Sequence, residues 1–166
     1  MVAETLRIPS PLDRAALKNA LAHWPVAVLS INRPGGAPWS VPIVFAPWEG
    51  RVYSPIDGKP KSERPVARAT HIAREGRATL LLERYDPDWQ ALWWIRLYAR
   101  AEVVSPAPLD HPAVGALAAK YPQYRSIPVL RHPPMLLAFD LEAVAAWSSA
   151  PSTEGESPSA RFKTCR

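Results

Sequence analysis

Two lysines in the stretch Asp57-Gly58-Lys59-Pro60-Lys61 are the side chains best placed, by type and spacing, to do chemistry. They follow an apolar run, Val52-Tyr53-Ser54-Pro55, and precede a segment that reads as a helix from Ser62 to Glu75. Ser62 fits an N-cap, Pro65 fits the first turn, where proline is tolerated, and Gly76 sits where a helix would stop. The lysines thus stand at the positive end of a helix dipole, a placement that costs about 0.3–1 kcal/mol per exposed cation. A bound anion reverses the sign, because free N–H groups, the dipole and both ammonium groups then point at it. Arg64 and Arg68, one turn apart, can extend the same positive face. Two readings fit these residues equally: an anion-binding corner, most simply for a phosphate, and a solvated basic loop.

Other reactive constellations are missing. The glycines are scattered, with neither GxGxxG nor GxxxxGK[ST], and there is no G-x-S-x-G elbow. His23, His71, His111 and His132 lie far apart without metal-ligand spacing, so no metal site is expected. The single cysteine, Cys165, supports neither an internal disulfide nor a thiolate site. Asp86 and Asp88 in Tyr85-Asp86-Pro87-Asp88-Trp89 read as turn residues rather than paired catalytic carboxylates. The catalytic residues are therefore unknown from sequence. An anion corner, a strand opened by Pro42 and an aromatic strand suit a cofactor carrying a phosphate and a flat ring, which brings its own reactivity.

The elements that must position these groups can be read in order. Residues 1–12 read as an amino-terminal arm. Asp13 caps a short amphipathic helix to His23, with Leu17 and Leu21 four apart. Val26 to Ile31 and Trp39 to Phe45 read as strands joined by the turn Asn32-Arg33-Pro34-Gly35-Gly36. Pro42 within the second strand places it at a sheet edge, or else where the sheet opens and backbone groups face a ligand. Pro47 to Gly50 reads as a turn, and Arg51 to Pro55 as a third strand. In the helix that follows the lysines, Val66, Ala69, Ile72 and Ala73 share one face. Ala78 to Leu82 is a fourth strand. Trp93 to Val104 alternates, with Trp93, Ile95 and Leu97 on one side and Trp94, Arg96 and Tyr98 on the other. A helix is expected over Pro112 to Lys120, near a cap at Asp110 or His111, then irregular chain at Tyr121 to Tyr124, and a last strand over Met135 to Leu141. Residues 148–166 have the composition of a disordered tail. Strands do not alternate regularly with helices, so the expected class is mainly β (α+β), an antiparallel barrel with a few peripheral helices, in one domain over residues 13–147.

The totals bound the rest. The chain has 166 residues, 48% hydrophobic and 21% charged, an ordinary globular composition. Its net charge of +5 fits an anionic cofactor, nucleic acid or plain solubility. Twenty prolines argue against long helices. Seven tryptophans fit core and interface packing or stacking on a flat ring. No apolar run is long enough for a membrane span, and the amino terminus lacks the order of a signal peptide, so a cytoplasmic location is expected.

Asp57-Gly58-Lys59-Pro60-Lys61, Tyr85-Asp86-Pro87-Asp88-Trp89, Leu92-Trp93-Trp94-Ile95-Arg96 and Lys120-Tyr121-Pro122-Gln123-Tyr124 occur in this order. Together they resemble a branch of the pyridoxamine 5'-phosphate oxidase-like proteins, the group often labelled F420-dependent, over roughly residues 14–147. The resemblance implies a split β-barrel of the FMN-binding type and a homodimer, with F420, or alternatively FMN, in a groove between subunits. It matches Lys59 and Lys61, helped by Arg64 or Arg68, to the cofactor phosphate. It makes Val41, Pro42, Ile43, Tyr53 and Ser54 candidates for the ring edge, and Trp94 and Arg96 candidates on the later strand. It implies hydride transfer to or from a small organic substrate; some relatives bind haem. The alternatives are a non-catalytic FMN- or F420-binding carrier and, from the charge and Trp93-Trp94 beside Arg96, a single-stranded nucleic-acid binder. No recognised nucleic-acid motif supports the last.

Overall fold

The computed structural model describes residues 6–33, 35–58 and 66–149. Along the chain run α1 (Arg14–His23), β1 (Ala27–Asn32), β2 (Pro38–Ile43), β3 (Ala46–Trp48), β4 (Arg51–Pro55), α2 (Ala67–Glu75), β5 (Arg77–Arg84), β6 (Trp93–Val104), α3 (Pro112–Lys120) and β7 (Leu136–Ser148). Single 3₁₀ turns form at Trp89–Ala91 and Pro122–Arg125. The strands make one antiparallel sheet in the order β2-β1-β5-β6-β7-β4-β3.

That order forces the sheet to curl. β2 and β3 are its opposite edges, yet only Val44 and Phe45 separate them in the chain. Laid flat, seven strands would hold the edges about 29 Å apart. The link from Ile43 to Ala46 reaches at most about 11 Å. The two edges must therefore be brought round toward each other, giving a split β-barrel, as the family resemblance implied. The crossover is latched by Tyr121. Its hydroxyl accepts from the Phe45 N–H at 2.9 Å and lies 2.7 Å from the Phe45 carbonyl and 3.0 Å from that of Pro25, to either of which it can donate.

Alternation along the strands sorts side chains to the two faces. Leu29, Leu80, Leu82, Ile95, Leu97, Val52 and Phe139 point inward and form the barrel core, with α1 adding Ala16, Leu17, Ala20 and Leu21. Leu6 and Leu12, ahead of α1, are buried in the same core. Each such leucine contributes about 1.5–3 kcal/mol by leaving water. A second cluster joins α3, through Ala113 and Leu117, to Ala46, Tyr53, Leu136 and Ala138 on the other side of the sheet.

Local chemistry explains most element ends. Asp13 caps α1 by accepting from the Ala16 N–H at 2.6 Å, and His111 caps α3 by accepting from the Ala113 N–H at 3.1 Å. Gly76 closes α2 in the left-handed conformation, φ 65°. Pro42 sits on an edge strand, the plainer of its two readings. In the Tyr85–Trp89 segment Asp86 accepts from the Asp88 N–H, and Asp88 from the Gln90 N–H, as turn residues do.

Several expectations are corrected. The Pro47–Gly50 turn is only Glu49-Gly50: Ala46 to Trp48 is a strand, and the hairpin reverses at two positive-φ residues, Glu49 and Gly50. Helix α2 starts at Ala67, later than expected, with Val66 as a cap that offers no side-chain bond; Ser62 and Pro65, read as cap and first turn, lie outside the described residues. Ala73 faces solvent, leaving Ala69 and Ile72 as the buried face. Residues Pro122–Arg125 form a 3₁₀ turn rather than irregular chain. The last strand continues seven residues past Leu141 to Ser148, through the Glu142 bulge, because it pairs along the whole of β6. Pairing overrides the weak strand preference of Glu142 to Ala146.

Candidate functional site

The polar cluster at the end of β4 is built from three parts of the chain. Beyond Pro55 the backbone is held by the segment before β7: the Ile56 N–H donates to the Met135 carbonyl at 3.1 Å, the Arg131 N–H to Ile56 at 2.8 Å, and the Gly58 N–H to Pro128 at 3.0 Å. Gly58 lies so close to that segment that a Cβ would come within 3.0 Å of Pro128 Cδ and 3.3 Å of its carbonyl. This clamp fixes Asp57, which is only 3% exposed. Tyr124, in the turn after α3, donates to Asp57 Oδ2 at 3.3 Å. Arg68, in the first turn of α2, reaches back to the Pro55 carbonyl at 3.5 Å, a marginal contact.

The electrostatics follow from burial. Burial pushes Tyr124 well above the ordinary phenol range, and the Asp57 carboxylate adds to the shift, so the hydroxyl keeps its proton and donates. Burial also lowers Arg68 from the usual guanidinium value; the neighbouring Asp57 opposes this and Arg131 reinforces it. Two side-chain atoms here are buried without a hydrogen-bond partner among the described residues, Ser54 Oγ and Arg68 Nε. Such atoms carry a desolvation cost of about 1–3 kcal/mol each, which a polar ligand or water would relieve.

The expected site residues are distributed over several faces. Lys59, Lys61 and Arg64 lie outside the described residues. Ser54 is buried on the same side of β4 as Val52, toward the barrel core, whereas Tyr53 turns to α3 and stands 5.2 Å, ring to ring, from His111. Val41 and Ile43 on β2 also face the barrel core. Pro42 points outward, in a row that continues across the sheet as Val28, Leu81 and Arg96. Trp94 and Arg96 share that outer face, the guanidinium 5.0 Å from the indole centroid. Within one chain the register brings Pro42, Trp94 and Arg96 to one surface, and places Ser54 and Arg68 near the end of β4.

Sequence reasoning left Asp57, Tyr124 and Arg131 without roles, although Asp57 and Tyr124 stand in the quoted motifs. Their contact joins residues 67 apart, so no local spacing could have exposed it. The outer sheet face also carries Tyr98 and Trp147, both exposed, with Trp147 opposite Trp94.

No family model and no curated protein matches the chain. Solved structures do. A conserved hypothetical protein, Rv2991, from Mycobacterium tuberculosis matches with a TM-score of 0.66 at 15% identity, covering 91% of this chain and 96% of that one. An FAD-binding protein from Mesorhizobium loti matches at 0.57 and 16% identity, covering 81% and 94%. HutZ, a haem storage protein from Vibrio cholerae, matches at 0.60 and 10% identity, covering 81% and 93%. At such identities the likeness is one of fold: a mainly β, α+β, antiparallel split barrel, found in both flavin-binding and haem-storing proteins.

Proposed function

We propose that this protein is a flavin- or deazaflavin-dependent oxidoreductase that holds F420, with FMN as the alternative, and exchanges hydride with a small organic substrate. The observation that carries the reading is the pair of buried polar atoms, Ser54 Oγ and Arg68 Nε, around the end of β4, neither with a hydrogen-bond partner among the described residues. They lie just before and just after Lys59, Lys61 and Arg64 in the chain, the cations that the family resemblance matches to a cofactor phosphate.

The residues present fit such a group. Arg68 offers a guanidinium already desolvated, whose charge an anion would complement. Lys59 and Lys61 supply further charge, and the Asp57–Gly58 clamp fixes the point from which their segment departs. A bound flavin or deazaflavin would supply the hydride chemistry itself. The chain's part is to bind, orient and exclude water. Trp94, Arg96 and Pro42 face outward, so they would serve a cofactor only if it lay against the outer sheet surface. That favours a homodimer with the half-buried Trp94 and exposed Tyr98 and Trp147 at the contact.

The test is titration of the purified full chain with F420 and with FMN, followed by fluorescence and absorbance. Saturable binding in the micromolar range is expected, weakened at least tenfold by replacing both Lys59 and Lys61 with alanine. The loss should be larger at low salt, where Coulombic contacts are less screened. Absence of saturable binding to either cofactor removes the reading. Binding without turnover on any electron acceptor leaves the carrier form of it.

A further inference from the structure

Lys120, the last residue of α3, lies apart from the cluster described above. Its Nζ donates to the Leu21 carbonyl of α1 at 2.8 Å and sits 3.7 Å from the Phe45 ring centroid and 5.4 Å from that of Tyr121. No carboxylate pairs with it among the described residues. Lys120 is among the residues that line a cavity of about 470 Å³ between α1, β3 and α3. The walls are Ala22, Ala46, Pro47, Ala116 and Ala119, and His23 is the one other titratable group that lines it. Lys18 and Arg51 line a neighbouring cavity that shares Pro47. His23 Nδ1 lies 3.0 Å from the Asn19 carbonyl, which can only accept; Nδ1 therefore carries a proton, and in the neutral ring Nε2 keeps a lone pair.

We propose that Lys120 is an amine nucleophile that captures small apolar aldehydes as an imine in this cavity. The methyl and ring walls suit an apolar body and offer little to a carboxylate, while the aromatic face and the Leu21 carbonyl hold the amine in place without neutralising it. Burial pushes Lys120 down to about 7, so a large share of the amine is unprotonated at neutral pH. In the step, the nitrogen lone pair attacks the carbonyl carbon and the C–O π bond opens. One amine proton passes to that oxygen, giving a carbinolamine. The hydroxyl then leaves with the second amine proton as water, and a C=N bond forms. Nothing is oxidised or reduced.

The experiment treats the full chain with butanal and sodium cyanoborohydride at neutral pH. The reagent delivers hydride to the imine carbon and leaves a stable secondary amine, located by peptide mass spectrometry. An ordinary lysine is neutral at about one part in a few thousand at pH 7, so Lys120 starts with an advantage on the order of a thousandfold. Lower basicity and partial burial reduce this to an expected labelling rate about tenfold above Lys18 and Lys163. The Lys120 rate should level off as the pH passes neutrality. Ala119→Leu, an exposed position that tolerates the change, narrows the cavity and should slow Lys120 labelling several-fold with Lys18 unaffected. A purely structural Lys120 would be the slowest lysine to react, and that outcome overturns the proposal. Labelling of Lys120 unchanged by Ala119→Leu overturns the assignment to this cavity.

Discussion

Replacing Tyr121 by phenylalanine removes one oxygen from the latch that closes the barrel. Among the described residues that oxygen is the acceptor for the buried Phe45 N–H, and it also serves the Phe45 and Pro25 carbonyls. An orphaned buried N–H costs about 1–3 kcal/mol, and a lost donation to a carbonyl about 0.5–1.5 kcal/mol. The ring stays, so no cavity forms. A destabilisation of about 2–3 kcal/mol is expected, or a fall in Tm of about 5–10 °C for a chain of this size. Urea unfolding of wild type and Tyr121→Phe would measure it, with an unchanged m-value indicating that compactness is kept. Tyr124→Phe is the internal comparison: it removes one 3.3 Å bond from a half-buried phenol and should cost less, about 0.5–1.5 kcal/mol. A Tyr121→Phe protein within about 0.5 kcal/mol of wild type, or one hurt less than Tyr124→Phe, would refute the latch argument.

Three further outcomes are expected. Gly58→Ala drives a methyl group against Pro128 and should cost about 1–3 kcal/mol in thermal or urea unfolding, since backbone on both sides must shift. Stability should rise with pH from about 7 towards 10, because unfolded Lys120, with its ordinary value of 10.5, binds a proton that the folded residue has released. It should fall again from about 10 to 12, because Tyr121 is pushed up to about 12 by burial and holds its proton in the fold while the unfolded phenol ionises. Lys120→Met should flatten the rising limb in urea titrations across that range. Glu at both Tyr98 and Trp147 should convert a dimer to a monomer in light scattering; a wild-type protein that is already monomeric would remove the outer-face contact.

The legible parts of the fold are those where local chemistry and long-range pairing agree. Asp13 and Leu17/Leu21 mark α1, the Trp93–Val104 alternation marks β6, and Pro112 with His111 marks α3. Where they disagree, pairing wins. Ala46-Pro47-Trp48 carries turn-type proline yet forms an edge strand, and Glu142 to Ala146 carries helix-type residues yet extends β7 along β6. The candidate site was legible only in part for a similar reason. Lysines in a row announce charge, and Arg68 was picked with them. The groups whose charge or dipole acts on the buried Arg68, namely Asp57, Tyr124 and Arg131, come from other segments of the chain. The burial of Lys120 depends on α1, a hundred residues earlier, which no pattern near Lys120 reveals.

The place of β7 in the sheet has a consequence for synthesis. The β3–β4 hairpin pairs, strand to strand, with the rest of the sheet through β7, the last of the described strands to be synthesised. Until residues 136–140 emerge, a finished hairpin has no pairing partner along its inner edge, and the nascent chain carries an unsatisfied strand while residues 56–135 are made. A messenger truncated shortly before that point would yield a product with two disconnected sheet fragments, a natural client for chaperones and proteases rather than a smaller working protein.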